Sequence, residues 1–215
     1  MTIPGPIIDI TLALGREDAP WPGDRPFALE GVPTSPCGGR TSTLTMSAHC
    51  GTHIDTPAHV MDAARTLGDY APADFLLPAI VVDVGDAALV TAQLLQDAAI
   101  HPGDAVLLRT RNTRHGLPGD RIFRTDFTAL APSAARLIVE RGARLAGIDG
   151  PSADPFDAED LPAHHILLGA GLPIIENLNL HAATPGRYIL CCLPLSIPDA
   201  EASPVRAVLW PDTPR

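Results

Sequence analysis

Four side chains able to hold a metal ion or carry a proton fall within eleven residues: His49, His53, Asp55 and His59, in His49-Cys50-Gly51-Thr52-His53-Ile54-Asp55-Thr56-Pro57-Ala58-His59. The chain has eight histidines, and this short segment concentrates three of them beside an acid, which a scatter of surface histidines would not do. Neutral imidazole together with carboxylate suits zinc, manganese or iron, and His53 with Asp55 two residues on can reach one ion. The offsets from His49 are 4, 6 and 10, all even, so an extended backbone projects all four groups to one side. A helix would pair His49 with His53 but turn Asp55 away, and Gly51 and Pro57 both oppose helix. An extended segment is therefore predicted, with Cys50 on the opposite parity and not expected to bind the ion.

A second group lies more than a hundred residues downstream. In Leu172-Pro173-Ile174-Ile175-Glu176-Asn177-Leu178-Asn179-Leu180, Glu176 shares the parity of Leu172, Ile174, Leu178 and Leu180, an acid inside an apolar stripe. A carboxylate buried there must be protonated, paired with Arg, or bound to a cation. His164 and His165 supply imidazoles ahead of the same strand.

The elements that must position these groups read as mixed α/β with predominant sheet. Strands are predicted over Ile7 to Leu14, Thr41 to His49, Ala79 to Val84, Ala105 to Arg109, Leu145 to Ile148, Ile174 to Leu180, Tyr188 to Leu193 and Val205 to Trp210. Thr43, Thr45 and Ser47 have the parity of His49, so the strand before the motif is expected to feed its polar face into the site. Helices are predicted over Thr91 to Ala98, with Leu94, Leu95 and Ala98 on one face, and over Ser133 to Arg141, stopped by Gly142. The 23 prolines and 18 glycines punctuate apolar segments without clustering, as tight turns and ordered loops would.

Composition removes several classes of function. The 215 residues can bury the core of one domain, 1–215, and no repeat or charged linker divides them. A formal net charge of -10 argues against a nucleic-acid partner and for a small-molecule substrate. All 15 basic residues are Arg, and without Lys there is no Walker-type phosphate loop, Schiff-base lysine or Ser-Lys dyad. No Gly-x-Ser-x-Gly elbow is present. Met1-Thr2-Ile3-Pro4-Gly5-Pro6 has neither a basic leader nor an apolar signal core, and no apolar run reaches membrane length, so a cytoplasmic protein without a membrane partner is expected. Cys37, Cys50, Cys191 and Cys192 form no Cys-x-x-Cys pair and are read as reduced thiols.

The pattern H-x-G-T-H-x-D-x-P-x-H resembles the signature of the metal-dependent cyclase-like superfamily, which includes bacterial kynurenine formamidases and isatin hydrolases. The resemblance covers most of the chain: Trp21-Pro22-Gly23-Asp24 is similar to that family's N-terminal turn, Gly147-Ile148-Asp149-Gly150-Pro151-Ser152-Ala153-Asp154-Pro155 to its central loop, and Ala202-Ser203-Pro204-Val205-Arg206-Ala207 to its last strand. It implies a swivelling β/β/α fold, a homodimer or homotetramer, and one or two divalent ions, zinc or manganese, per subunit. It further implies that His49, His53 and Asp55 bind a first ion, that Asp55 bridges to a second held by His164 and Glu176, and that His59 stays off the metal as proton carrier. His165 is the less favoured of the two adjacent imidazoles. The chain carries Thr52 and Thr56 where kynurenine formamidases tend to have Ala, and Ser196 where they tend to have Lys.

The activity implied is hydrolysis of a carbon-nitrogen amide bond, in an N-formyl aryl amine or a lactam, with His59 as general base and then acid. Trp21 is the residue expected to stack on an aromatic substrate, with a core or subunit-contact role as the competing assignment. The same ligands would also serve a cyclase, dehydratase or lactonase. A metal-binding or ligand-binding homologue without catalysis would have no use for His59.

Overall fold

The computed structural model describes residues 5–32 and 38–212, so Cys37 and residues 1–4 lie outside it. In chain order its elements are β1 (Ile8–Asp9), β2 (Ala28–Val32), β3 (Thr41–Thr45), β4 (His53–Asp55), β5 (Leu76–Asp83), β6 (Leu89–Val90), α1 (Ala92–Leu95), β7 (Ala105–Arg109), α2 (Arg111–Arg114), β8 (Ala129–Leu130), α3 (Pro132–Glu140), β9 (Leu145–Ile148), α4 (Pro162–Gly169), β10 (Ile174–Glu176), β11 (Gly186–Cys191), β12 (Ala202–Pro204) and β13 (Val208–Pro211). Nine strands form one mixed sheet in the order β1-β13-β11-β5-β7-β9-β10-β4-β12. The pairs β5–β7, β7–β9 and β9–β10 are parallel, and the remaining neighbours are antiparallel.

The central strands are apolar throughout because both faces of the sheet are covered. In β7, Ala105 and Leu107 pack on one side while Val106 and Leu108 pack on the other. The second side carries the helices: Leu95 of α1, Ala134, Ala135 and Ile138 of α3, and Ala163, Leu167 and Leu168 of α4 are buried there with Val106, Ala146 and Ile148. The first side is closed by Ile10, Leu67, Phe75, Leu178, Leu180 and Tyr188. Gly147 of β9 has no room for a side chain, since a Cβ would lie 2.6 Å from Leu107 and 2.8 Å from Leu178.

The mixed α/β, sheet-rich architecture is the expected one, but several elements are shorter than the pattern predicts. The strand predicted over Ile7 to Leu14 is regular only at β1. The run from Thr41 to His49 is a strand only to Thr45 and pairs with β2 in a separate hairpin, where Thr41 to Leu44 are exposed. That run therefore does not present its polar face to the site. The strand predicted from Ile174 to Leu180 stops at Glu176 because Asn177 turns left-handed at φ +56°. Leu178 and Leu180 consequently pack on the face opposite Ile174, and the apolar stripe is two stripes. Leu94 of the shortened α1 points outward while Leu95 is buried. Two helices were not anticipated: α2, which begins where Thr110 accepts a hydrogen bond from Asn112 N–H, and α4, which carries His164. The predicted helix stop at Gly142 holds: its φ of +74° follows the end of α3 as a C′ residue should.

Candidate metal centre

Three different backbone devices bring the motif together. His49 stands in a turn before β4, and Gly51 enters it at φ +63° in a place where a Cβ would meet Leu14 at 2.5 Å. His53 and Asp55 lie two apart on β4 and share a face, as strand alternation demands. Pro57 then starts a short 3₁₀ turn, Pro57–His59, which carries His59 back over the strand. The stretch is thus extended only at its centre, and the flanking histidines converge by turns that the parity argument did not contain. Across the sheet, Glu176 of β10 sits directly opposite His53. His164 enters from the first turn of α4.

All five predicted ligands meet. His49 Nδ1 lies 2.9 Å from Asp55 Oδ1, and His53 Nε2 lies 3.5 Å from both Asp55 Oδ1 and Glu176 Oε2. His164 Nε2 is 3.1 Å from Glu176 Oε1 and 3.8 Å from Asp55 Oδ2. The donor atoms form two groups that share Asp55: His49, Asp55 and His59 in one, His53, Asp55 and Glu176 in the other, with ligand atoms within 4.8 Å of one another in each. His59, expected to stay off the metal, therefore lies within ligand reach, its ring 4.3 Å from that of His49.

The residues fit a divalent ion on two counts. Among the described residues, both oxygens of the fully buried Asp55 and Nε2 of His53 lack a well-directed hydrogen bond even though His49 Nδ1 stands 2.9 Å from Asp55 Oδ1, a costly arrangement unless a cation completes it. In addition, His53 Nδ1 donates to Gly51 O at 2.9 Å and His164 Nδ1 to Asp154 Oδ2 at 2.7 Å, so both rings turn Nε2 toward the carboxylates, where the neutral ring would offer its lone pair to an ion.

The electrostatics separate the histidines. Burial pushes His53 down, but Asp55 and Glu176 overcome it and hold the imidazole at about 9. His164 is likewise held well above its ordinary value, with burial opposed by Asp154, Asp55 and Glu176. Burial raises Glu176, yet His164 and His53 bring it down to about 2; Asp55 is also driven well below the carboxylate range, against its burial, chiefly by His53. His59 moves the other way, lowered by burial, with Asp55 only partly restoring it. The carboxylates thus favour protons on His53 and His164 at the positions a metal would take, and ion binding there would displace them.

A cavity of about 290 Å³ opens over the cluster, walled by Trp21, Asp24, Pro151, Ser152, Leu161 and Asn177. Trp21 is half-buried and packs edge-on against Phe123 at 5.1 Å between ring centroids, with Phe156 at 5.4 Å. The sequence pattern did not single out Phe123, Phe156 or Asp154. The signal for Asp154 lay in its buried position ahead of a proline-started helix, once that helix is recognised.

Several alternatives close. Among the described residues Glu176 has no arginine partner: it accepts from Ala153 N–H at 2.6 Å and faces His53 and His164. His165 is exposed on the far side of α4. Cys50 is buried with its thiol against Asp18 at 3.4 Å and is pushed up to about 12 by burial and then by Asp18, so it is a poor ligand. The hydroxyls of Thr52 and Thr56 are spent on backbone carbonyls, Asn177 O at 2.7 Å and Glu201 O at 2.8 Å, and brace the strand.

Fold and site together define a metal-centred α/β protein with a small-molecule cavity over the ligands. Residues 8–155 match the Cyclase family, and the chain belongs to it. It is 37% identical over 206 residues to a kynurenine formamidase of Bacillus mycoides, a match covering 95% of this chain and 97% of that one. Among solved structures it superposes with a TM-score of 0.83 on a potential metal-dependent hydrolase with cyclase activity, at 26% identity over 97% of this chain and 99% of the other. Isatin hydrolase A from Ralstonia solanacearum shares the fold, with a TM-score of 0.79 at 24% identity over 95% and 91% of the two chains.

Proposed function

We propose that this protein is an arylformamidase: it hydrolyses the formamide of N-formylkynurenine or a close N-formyl aryl amide to formate and the free aryl amine. The observation that carries the proposal is Asp55, fully buried, without a well-directed hydrogen bond and shared by two donor groups, below a cavity walled by Trp21. The identity to a kynurenine formamidase along nearly the whole chain supports the substrate class.

His49, His53, Asp55, His164 and Glu176 would hold zinc or manganese, one or two ions per subunit, and the ion supplies Lewis acidity to the carbonyl oxygen and to water. His59 does the proton work. Its burial lowers the imidazole's pKa and so favours the neutral ring, able to accept the proton of the attacking water as the new carbon-oxygen bond forms. The same ring then returns that proton to the aryl nitrogen as the carbon-nitrogen bond breaks, which an amide requires because an amine anion leaves poorly. Trp21, braced by Phe123 and Phe156, offers its ring to the substrate's aryl group. The free state of Cys50, Cys191 and Cys192 supports a cytoplasmic setting, and the exposed Leu29 and Leu44, opposite each other on the β2–β3 hairpin, support assembly as a homodimer or homotetramer.

Turnover of an N-formyl aryl amide by the metal-loaded protein, with stoichiometric formate, tests the proposal. A metal-loaded protein that releases no formate would defeat it. A ring-closing or dehydrating activity on the same scaffold gives a product lighter by one water, where hydrolysis adds one, so product mass separates the two.

A further inference from the structure

Asp154 bears a set of contacts that neither the metal ligands nor the cavity wall account for. Its carboxylate is fully buried and accepts three hydrogen bonds from α4: Oδ1 from Ala163 N–H at 2.7 Å, and Oδ2 from His164 N–H at 2.9 Å and His164 Nδ1–H at 2.7 Å. Its own N–H donates to Ser152 Oγ at 3.1 Å, which fixes the loop. The residue at the N-cap of α4, Leu161, has no side chain able to accept and is held left-handed at φ +43°, a strained state for a branched apolar residue. Leu161 also lines the cavity. One carboxylate from the preceding loop therefore caps the helix, holds the strained turn and orients the imidazole.

We propose that Asp154 is the positioning residue of the centre, fixing His164 as the Nδ1–H tautomer with Nε2 toward Glu176 and Asp55. The inference rests on the reading that the cluster holds a divalent ion. Asparagine at this position presents a donor on one side, so it either faces the helix N–H groups or the imidazole N–H with another donor. In Asp154→Asn, zinc affinity measured by chelator competition should fall about 10- to 100-fold while the far-UV dichroism stays that of wild type. Zinc-loaded wild type should also show a downfield imidazole N–H proton signal from His164 Nδ1, and this signal should vanish in the variant. Should D154N not fold, the wild-type spectrum still decides: coordination of His164 through Nδ1 would overturn the assignment. Wild-type zinc affinity in a folded D154N would overturn it as well, leaving Asp154 a helix cap alone. Failure of wild type itself to bind zinc would defeat the metal centre, and the proposal with it.

From the opposite wall we infer that Asp24 recognises a primary ammonium group on the substrate, an inference that rests on the formamidase reading. Trp21-Pro22-Gly23-Asp24 forms a turn closed by Asp24 N–H to Trp21 O at 2.9 Å, with Gly23 at φ +97°, and so sets the acid beside the aromatic wall. Ser47 Oγ donates to Asp24 Oδ2 at 2.8 Å and His49 N–H to Ser47 Oγ at 3.2 Å, tying this turn to the ligand loop. Among the described residues, the cavity lining has no arginine, and Asp24 is its one acidic residue apart from Glu176 of the proposed metal centre. An aryl formamide bearing an α-amino group meets that acid; its desamino acid counterpart does not. Wild type should prefer N-formylkynurenine over the desamino acid in kcat/KM by about tenfold or more, and Asp24→Asn should erase the preference. A preference that survives D24N, or a wild type that turns over both equally, would overturn the inference. Wild type turning over neither would instead defeat the formamidase reading on which it rests.

Discussion

The two halves of the histidine motif live in different physical settings six residues apart. His53 and Asp55 stand on a strand in the sheet, opposite Glu176 and almost wholly buried; His49 and His59 come from turns and remain only partly exposed. His53 is held at about 9 by two carboxylates, whereas burial carries His59 below its ordinary value. The difference assigns work. A strand-borne ligand has its geometry fixed by the ladder and its charge balanced by the acids it faces. A turn-borne imidazole with partial solvent access can stay neutral and exchange protons at neutral pH.

The strongest way to break this contrast is to remove the residue common to both donor groups. Asp55→Asn should lose bound metal and all activity above background, measured by metal content and formate release, while keeping the fold. His59→Ala comes next: kcat should fall about 10²- to 10⁴-fold with metal retained. Since His59 also lies within ligand reach, loss of metal in H59A would move it into the ligand set. The pH profile sharpens the same point. His59 must be neutral to accept a proton and its folded value is lowered, so the acid limb of kcat should fall below pH 6.5; a limb above that value would argue against His59. Trp21→Ala should lower kcat/KM about tenfold through loss of the aryl contact. Cys50→Ala should leave metal content unchanged and cost about 1 kcal/mol of stability in a denaturant titration.

The centre of the site was legible because strand alternation is a local rule: His53 and Asp55 share a face whatever surrounds them, and Glu176 breaks an apolar stripe. The ends were not. Nothing in the parity of Thr41 to His49 reveals that β3 leaves the main sheet to pair with β2, a choice made by long-range pairing. The convergence of His49 and His59 depends on Gly51 at positive φ and on the 3₁₀ turn begun by Pro57. Asp154, quoted in the central loop, received no role of its own because its partners lie nine and ten residues later, on a helix whose start is set by an uncommon left-handed leucine. The break at Asn177 similarly sends Leu178 and Leu180 to the face opposite their apparent stripe.

The proposed function requires that the carboxylate of Asp55, which lacks a well-directed hydrogen bond, bind a divalent ion. A crystal structure of the zinc-loaded protein recorded at the zinc absorption edge tests it most directly. Anomalous density is expected about 2.0–2.2 Å from an Asp55 carboxylate oxygen, with His53 Nε2 in the same coordination sphere. Density elsewhere, with Asp55 instead hydrogen-bonded directly to His49 and His164, would contradict it.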